Sequence, residues 1–270
     1  MAELTMVASL LKQLNLTEAA SKIESIVADA ALSNQTPLEV LDRLLHLEMD
    51  GRNARSQAKR MKSACFPYIE RLDGFNFERI GFKGIKKAHI QQLAELVWLE
   101  KAYNIMFLGP TGLGKTMLSI SLGVKAVEAG YNVFFVTLDE LMQLLKTAEI
   151  STRAGRKVKS IKSSDLVILD DVGFLPISRQ DASMLYGFVN SMYLKTSIIL
   201  TSNKSFEEWG EFLGDSIITA AIVERLAYQC EIFTLDGPSY RLENRKTILG
   251  NRELQCLTKE ATTAPKGVPV

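Results

Sequence analysis

Eight residues, Gly109 to Thr116, limit the choice of fold more than any other stretch of the chain. They read GPTGLGKT and match the spacing GxxxxGK[ST], which needs a strand before it and a helix after it. Both are present. Asn104 to Gly109 is a short apolar run ending in glycine, and the residues from Gly114 onward have helical character, with Gly130 placed to end that helix. Glycines let backbone amides come close to phosphate oxygens, and the start of a helix adds its positive dipole end. The expected nucleotide contacts are therefore Gly109, Pro110, Thr111, Gly112, Leu113, Gly114, Lys115 and Thr116. Lys115 would reach the β- and γ-phosphates, and Thr116 would offer its hydroxyl to magnesium. The alternative reading is a glycine turn with a surface lysine.

Downstream, strand and helix patterns alternate. Tyr131–Thr137 is rich in β-branched and aromatic residues, Leu166–Asp171 and Thr196–Asn203 are buried-strand runs, and helical stretches separate them. Thr137 and Glu140 form a capping box. This alternation predicts an α/β fold with a parallel sheet covered by helices. Two of the strands end in chemistry-bearing residues. Asp170 follows four apolar residues, which puts a carboxylate at a strand tip, where it suits magnesium. Asp171 beside it is a candidate to orient and polarise the attacking water, although a capping or solvated-turn aspartate is the other reading. Asn203 ends the next strand and is a candidate to position that water; a plain turn asparagine is its alternative. Arg225, after an apolar stretch, is a candidate to reach a neighbouring subunit's nucleotide, or else a helix arginine paired with Glu224 or Glu231. Arg241 is a weaker candidate for a phosphate contact.

The N-terminal part reads differently. Leu10, Leu11 and Leu14, then Ile23, Ile26 and Val27, recur at helical spacing up to about Ser63. Thr36-Pro37-Leu38-Glu39 is a capping box with proline at the first helical position, and its helix can run through Leu41, Leu45 and Met49 until Phe66-Pro67 stops it. Residues 1–50 carry three Lys/Arg against eight acids, whereas 51–63 carry five bases and no acid. Arg52, Arg55, Lys59 and Lys62 share a helical stripe about 80° wide, with Arg60 off it. A second acid-free run contains Arg153, Arg156, Lys157, Lys159 and Lys162, and reads as a loop offered to a bound polymer. Either run could equally be a solvated face. Together they point to contact with a phosphate backbone.

The expected organisation is a helical N-terminal domain (1–67), a linker (68–84) in which Arg71–Lys83 looks irregular, an ATPase core with a short lid (85–257), and a disordered tail (258–270). Residues 85–103 read as one helix. At 270 residues, 47% hydrophobic and 23% charged, the composition is that of a globular chain with room for a large core. Cys65, Cys230 and Cys256 form no CxxC and are odd in number, which speaks against a disulfide framework or a zinc site and for a reducing cytoplasm. The first residues do not read as a signal peptide, and no run of 18 apolar residues predicts a membrane span. His46 and His89 sit in helical stretches and read as structural.

In order, the chain presents a helical N-terminus, RxxRxxKRxKxAxFP, GPTGLGKT, LVILDDVGFLP, ILTSN and IVERL. This order resembles the IstB-like ATP-binding proteins, helper ATPases of insertion-sequence transposition in the AAA+ class near the DnaC-type helicase loaders. The resemblance spans roughly Leu4 to Leu249. It implies a three-layer P-loop core with an N-terminal helical domain and a short C-terminal helical lid. It also implies ATP and Mg²⁺ as cofactors, ATP-dependent homo-oligomers on duplex DNA, and recruitment of a cognate transposase that itself cuts DNA. By position it makes Asn203 the first sensor, Arg225 the trans-acting finger and Arg241 a possible second sensor. The competing readings are a helicase loader acting on single-stranded DNA, a small-molecule kinase, and a nucleotide-gated DNA-binding scaffold with little hydrolysis.

Overall fold

Apolar runs that are too hydrophobic to alternate cannot lie on a half-wet sheet, so they go to its middle. The computed structural model of the protein, which describes residues 2–78, 82–173 and 177–245, places them there. In chain order the elements are α1 (Ala2–Gln13), α2 (Thr17–Leu32), α3 (Pro37–Ser63), α4 (Lys87–Leu93), α5 (Val97–Glu100), β1 (Asn104–Leu108), α6 (Lys115–Glu128), β2 (Val133–Thr137), α7 (Leu138–Thr147), α8 (Thr152–Lys162), β3 (Leu166–Val172), α9 (Arg179–Met192), β4 (Ser197–Ser202), α10 (Phe206–Leu213), α11 (Ser216–Ala227), β5 (Cys230–Thr234) and α12 (Tyr240–Glu243). The strands form one parallel sheet in the order β2-β3-β4-β1-β5.

Each strand sends alternate side chains to two cores. Met106, Leu108, Val136, Leu169 and Leu200 face one layer with α7, α9, α10 and α11. Ile105, Phe107, Phe135, Ile168 and Ile199 face the other, with α4, α5, α6 and the end of α3. The result is the expected three-layer α/β core. No described helix is long and apolar enough to cross a membrane. Cys65 and Cys230 are free, and burial pushes the Cys230 thiol up to about 12.

The capping boxes at Thr36–Glu39 and Thr137–Glu140 form as the sequence predicts. Three expectations change. The stretch 85–103 is two short helices, because Leu96 takes a left-handed conformation (φ 63°). That break turns Leu93, Leu96, Trp98 and Leu99 into one core, and the Trp98 indole donates to the Leu93 carbonyl (2.8 Å). The basic run 151–162 is the helix α8 and not a loop. Ala154, Val158 and Ile161 recur at i, i+4 and i+7 and are buried, while the bases occupy the other side. In the N-terminal helices Ile23, Ile26 and Leu44 form the small core, with Leu11 and Val27 packed on it. Leu10, Leu14, Leu41, Leu45 and Met49 instead face outward, Leu14 at 67% exposure. Three helices share only one interior, so the second apolar stripe is left outside. Most of the GFLP stretch (174–176), part of the expected linker (79–81) and the tail (258–270) lie outside the described residues.

Candidate nucleotide site

The carboxyl ends of the parallel strands all point to one crevice, the place where such sheets bind ligands. The loop after β1 follows the path its glycines allow. Gly109 has φ 132°, and a side chain there would run into the Leu235 carbonyl. Gly114 caps α6 in a left-handed conformation (φ 93°) that a side chain would strain. The loop therefore delivers Lys115 and Thr116 as the first residues of α6, at the positive end of the helix.

Lys115 is 8% exposed and donates to the carbonyls of Gly109 (2.6 Å) and Pro110 (2.7 Å). Burial pushes its ammonium below its ordinary value, against the pull of Asp171 and Asp170. The Thr116 hydroxyl donates to the Asp170 carboxylate (2.9 and 3.1 Å). Asp170 is 4% exposed at the tip of β3, and it also accepts from the Thr201 hydroxyl (2.6 Å). Burial raises its carboxyl above the ordinary range, assisted by Asp171, while Thr201, Thr116 and Lys115 favour its charge. Magnesium takes one or two protein oxygens and completes its shell with phosphates and water. The paired Thr116 hydroxyl and Asp170 carboxylate fit that demand. Among the described residues no group of three or more His, Cys, Asp or Glu is placed to hold a metal by protein atoms alone.

Asp171 is exposed and sits at a β-bulge, where the pairing of β3 with β4 slips between Leu169 and Val172. Its φ of 57° is left-handed, and its N–H donates to the Thr201 hydroxyl (3.0 Å). A bulge of this kind re-aims a side chain. Here Asp171 lines a cleft of about 350 Å³ together with Gly112, Lys115 and Thr116. Arg241, in the first turn of α12, lines the same cleft, and the Tyr240 N–H ties α12 to the Gly112 carbonyl (2.9 Å).

The other two candidates stand apart. Asn203 is exposed one residue beyond β4 and is not among the residues that line the cleft. Arg225, on α11, donates from Nε to Asn190 Oδ1 (2.9 Å) and from Nη1 to the Ala221 carbonyl (3.0 Å), and its guanidinium lies 4.8 Å from the Tyr186 ring centre. It pairs with neither Glu224 nor Glu231, and it does not line its own chain's cleft.

Sequence reasoning missed two parts of the site. One is Thr201, which joins Asp170 and Asp171 from the neighbouring strand. The other is the far wall, formed by Tyr68, Glu70, Phe75 and Asn76 from the expected linker. The Phe75 ring packs on Gly114, and Phe77 and Phe82 support it at 4.6 and 5.6 Å. No local pattern announces that residues some forty positions upstream return to the loop.

The basic residues divide. Glu48, 2% exposed, accepts from the backbone N–H of Glu18 (2.8 Å) and Ala19 (3.3 Å) and pairs with Arg52 (3.0 Å) and Arg55 (3.2 Å). Arg55 also pairs with Glu18, and Arg52 donates to the Asn15 carbonyl. These two arginines knit α3 to the start of α2. Arg60 donates to Ser56 (2.7 Å). Lys59 and Lys62 are exposed on the same helix. On α8, Arg153, Arg156, Lys157 and Lys159 are exposed, with the Lys157 ammonium 5.8 Å from the Phe134 ring centre.

Comparison with known proteins points to one family. The family described as IstB-like ATP binding protein matches residues 9–248. Over 241 residues the chain is 38% identical to an ATP-binding protein of an IS21-like insertion sequence from Bacteroides fragilis, covering 89% of this chain and 91% of that one. It is 37% identical over 254 residues to the IS21 ATP-binding protein of Pseudomonas aeruginosa, covering 94% and 92%. Among solved structures, the DnaC helicase loader matches with a TM-score of 0.51 at 19% identity, over 62% of this chain and 96% of that one. At that identity the likeness speaks for the fold alone.

Proposed function

The chain belongs to the IstB-like ATP-binding protein family, and from that premise we propose that it is a magnesium-dependent ATPase that assembles on duplex DNA and recruits a transposase. The observation that carries the ATPase reading is the hydrogen-bonded set Thr116, Asp170 and Thr201 at the strand ends, with Lys115 and Asp171 in the adjoining cleft. In this reading the loop amides and Lys115 hold the β- and γ-phosphates. Thr116 and Asp170 would hold Mg²⁺, which neutralises phosphate charge when bound. Asp171 orients the attacking water and takes its proton as the water oxygen bonds to the γ-phosphorus. The bond to the β–γ bridging oxygen breaks, and ADP leaves with that electron pair. Arg241 adds a positive charge in cis. Arg225 serves the nucleotide of a neighbouring subunit, exchanging its bond to Asn190 for one to phosphate. Asn203, exposed beyond β4, meets the water once the subunits close.

The DNA reading rests on the exposed bases of α8 (Arg153, Arg156, Lys157, Lys159) with Lys59, Lys62 and Arg60 of α3. The ion pairs of Arg52 and Arg55 favour a structural role for those two. Residues 1–67 then form the DNA-facing helical unit and 85–257 the ATPase unit, with 68–84 serving the nucleotide cleft as well as joining them. The outward apolar stripe of α3 supports a protein that works in contact with others. The free cysteines Cys65 and Cys230 support a reducing, cytoplasmic setting.

The test is DNA binding and particle size on duplex and single-stranded DNA, with and without a non-hydrolysable ATP analogue. Large nucleotide-dependent assemblies on duplex, lost in Lys115→Ala, are expected. Preference for single strands would favour a helicase loader instead. No DNA binding in any nucleotide state would overturn both readings.

A further inference from the structure

The end of α3 is fastened to the ATPase core. The Ala64 carbonyl accepts from the Phe135 N–H of edge strand β2 (2.8 Å). The Phe66 ring packs beside Gly123 of α6, next to Ile168 of β3. Two residues later, Tyr68 enters the nucleotide cleft.

The charges of the site act on the Tyr68 phenol. Burial and then the Asp170 carboxylate hold the phenol above its ordinary value, Glu70 adds to this, and Arg241 opposes it. The same Arg241 acts on Lys115. Tyr68 lines one cleft with Lys115, Thr116, Asp171 and Arg241. Its hydroxyl keeps its proton at neutral pH, so it is a hydrogen-bond donor. Among the described residues no protein acceptor takes that bond, and the residue is 44% exposed. A neutral donor among Lys115 and Arg241 is suited to a phosphate oxygen.

We propose that Tyr68 reads the nucleotide state in cis: its hydroxyl donates to the terminal phosphate of a bound nucleoside triphosphate and carries that contact to the end of α3. This inference rests on the ATP-binding reading above. A diphosphate leaves the hydroxyl without its acceptor. The segment 64–68 is then held only by Ala64 and Phe66, and the bases Lys59 and Lys62 just before it sit on a looser helix end. ATP thereby orders the DNA-facing end of α3 without a second subunit.

The test uses the full chain with Tyr68→Phe, which keeps the ring at a half-exposed position and removes only the hydroxyl. Affinity for a non-hydrolysable ATP analogue and for ADP, each with Mg²⁺, is measured by calorimetry, and backbone hydrogen exchange is followed over residues 56–67. The wild type should show stronger protection of 56–67 with the analogue than with ADP. In Tyr68→Phe the analogue should bind about tenfold more weakly, with ADP affinity unchanged and the difference in protection gone. An unchanged ratio of analogue to ADP affinity, or an equal fall for both, overturns the inference while leaving the ATPase reading intact. A wild type that binds neither nucleotide overturns the ATP reading itself, and this inference with it.

Discussion

At Thr201 one hydroxyl performs two tasks. It donates to Asp170 Oδ1 and accepts from the Asp171 N–H, so a residue of β4 fixes the Asp170 carboxylate and the backbone of Asp171. Thr201 and Asp170 are 1% and 4% exposed, and a buried carboxylate or amide orphaned there costs about 1–3 kcal/mol. Replacing Thr201 with Val should lower ATP turnover at least tenfold and reduce stability by that amount. Thr201→Ser keeps the hydroxyl and should recover most of the turnover, although it loses a buried methyl. If Val and Ser variants turn over ATP equally, Thr201 is only a packing residue. Lys115 carries the same lesson in another form. Its ammonium donates to the Gly109 and Pro110 carbonyls, so one side chain braces the backbone of its own loop.

Two helices show how charge is used at the scale of elements. In α3 the buried Glu48 carboxylate draws two arginines of the basic run inward. Burial opposes its charge, but the Arg52 guanidinium and the amides of Ala19 and Glu18 prevail and hold its carboxyl below the ordinary 4.5. A carboxyl with a depressed folded value stabilises fully above the unfolded value and loses that contribution as pH falls through the folded one. Glu48→Gln should therefore weaken the N-terminal helices near pH 7, and its deficit against the wild type should shrink as pH drops below about 4.5. Urea unfolding followed by circular dichroism checks this. A deficit independent of pH would show that the charge is not what matters. The bases of α8 are arranged the other way, because its buried face is apolar and the charges are left outside. If two of these, Arg156 and Lys159, contact phosphates, replacing both by Ala should reduce the slope of log affinity against log salt by about 2, since each contact releases about 0.9 counterion. Arg52→Ala should leave that slope unchanged and lower stability instead.

For the molecule as a whole, the carboxyl ends of the strands gather Lys115, Thr116, Asp170 and Asp171 around one cleft, and Arg225 lies away from it. Its bonds to Asn190 and Ala221 and its stacking on Tyr186 hold it in a defined pose on the surface of α9 and α11. Such a residue contributes to hydrolysis only if a second subunit brings its cleft to it. Arg225→Ala should bind ATP normally but turn it over at least a hundredfold more slowly, in line with arginine fingers elsewhere. Mixing it with Lys115→Ala subunits should recover part of the turnover if wild-type fingers and wild-type clefts can meet. Normal hydrolysis by Arg225→Ala would remove the cross-subunit role.

What the amino-acid sequence determined was whatever a local pattern can carry. GPTGLGKT fixes a loop between strand and helix because its glycines and spacing admit one backbone path. Leu166–Asp171 reads as a buried strand with a carboxylate tip because it has no polar face. Thr36 and Thr137 mark helix starts through bonds within four residues. The tertiary structure decided the contacts that join distant segments. β5 was unreadable because Cys230–Thr234 is half-exposed at the sheet edge and lacks an apolar run. The basic run 151–162 became a helix because Ala154, Val158 and Ile161 found a core, which its dense charge had hidden. Arg52 and Arg55 turned inward because Glu48 is buried four and seven residues earlier. Tyr68 and Phe75 reached the nucleotide cleft because Phe66 docks on the sheet and sends the chain back over the loop. Such returns depend on which surfaces pack together across the whole chain, and short-range periodicity holds no record of them.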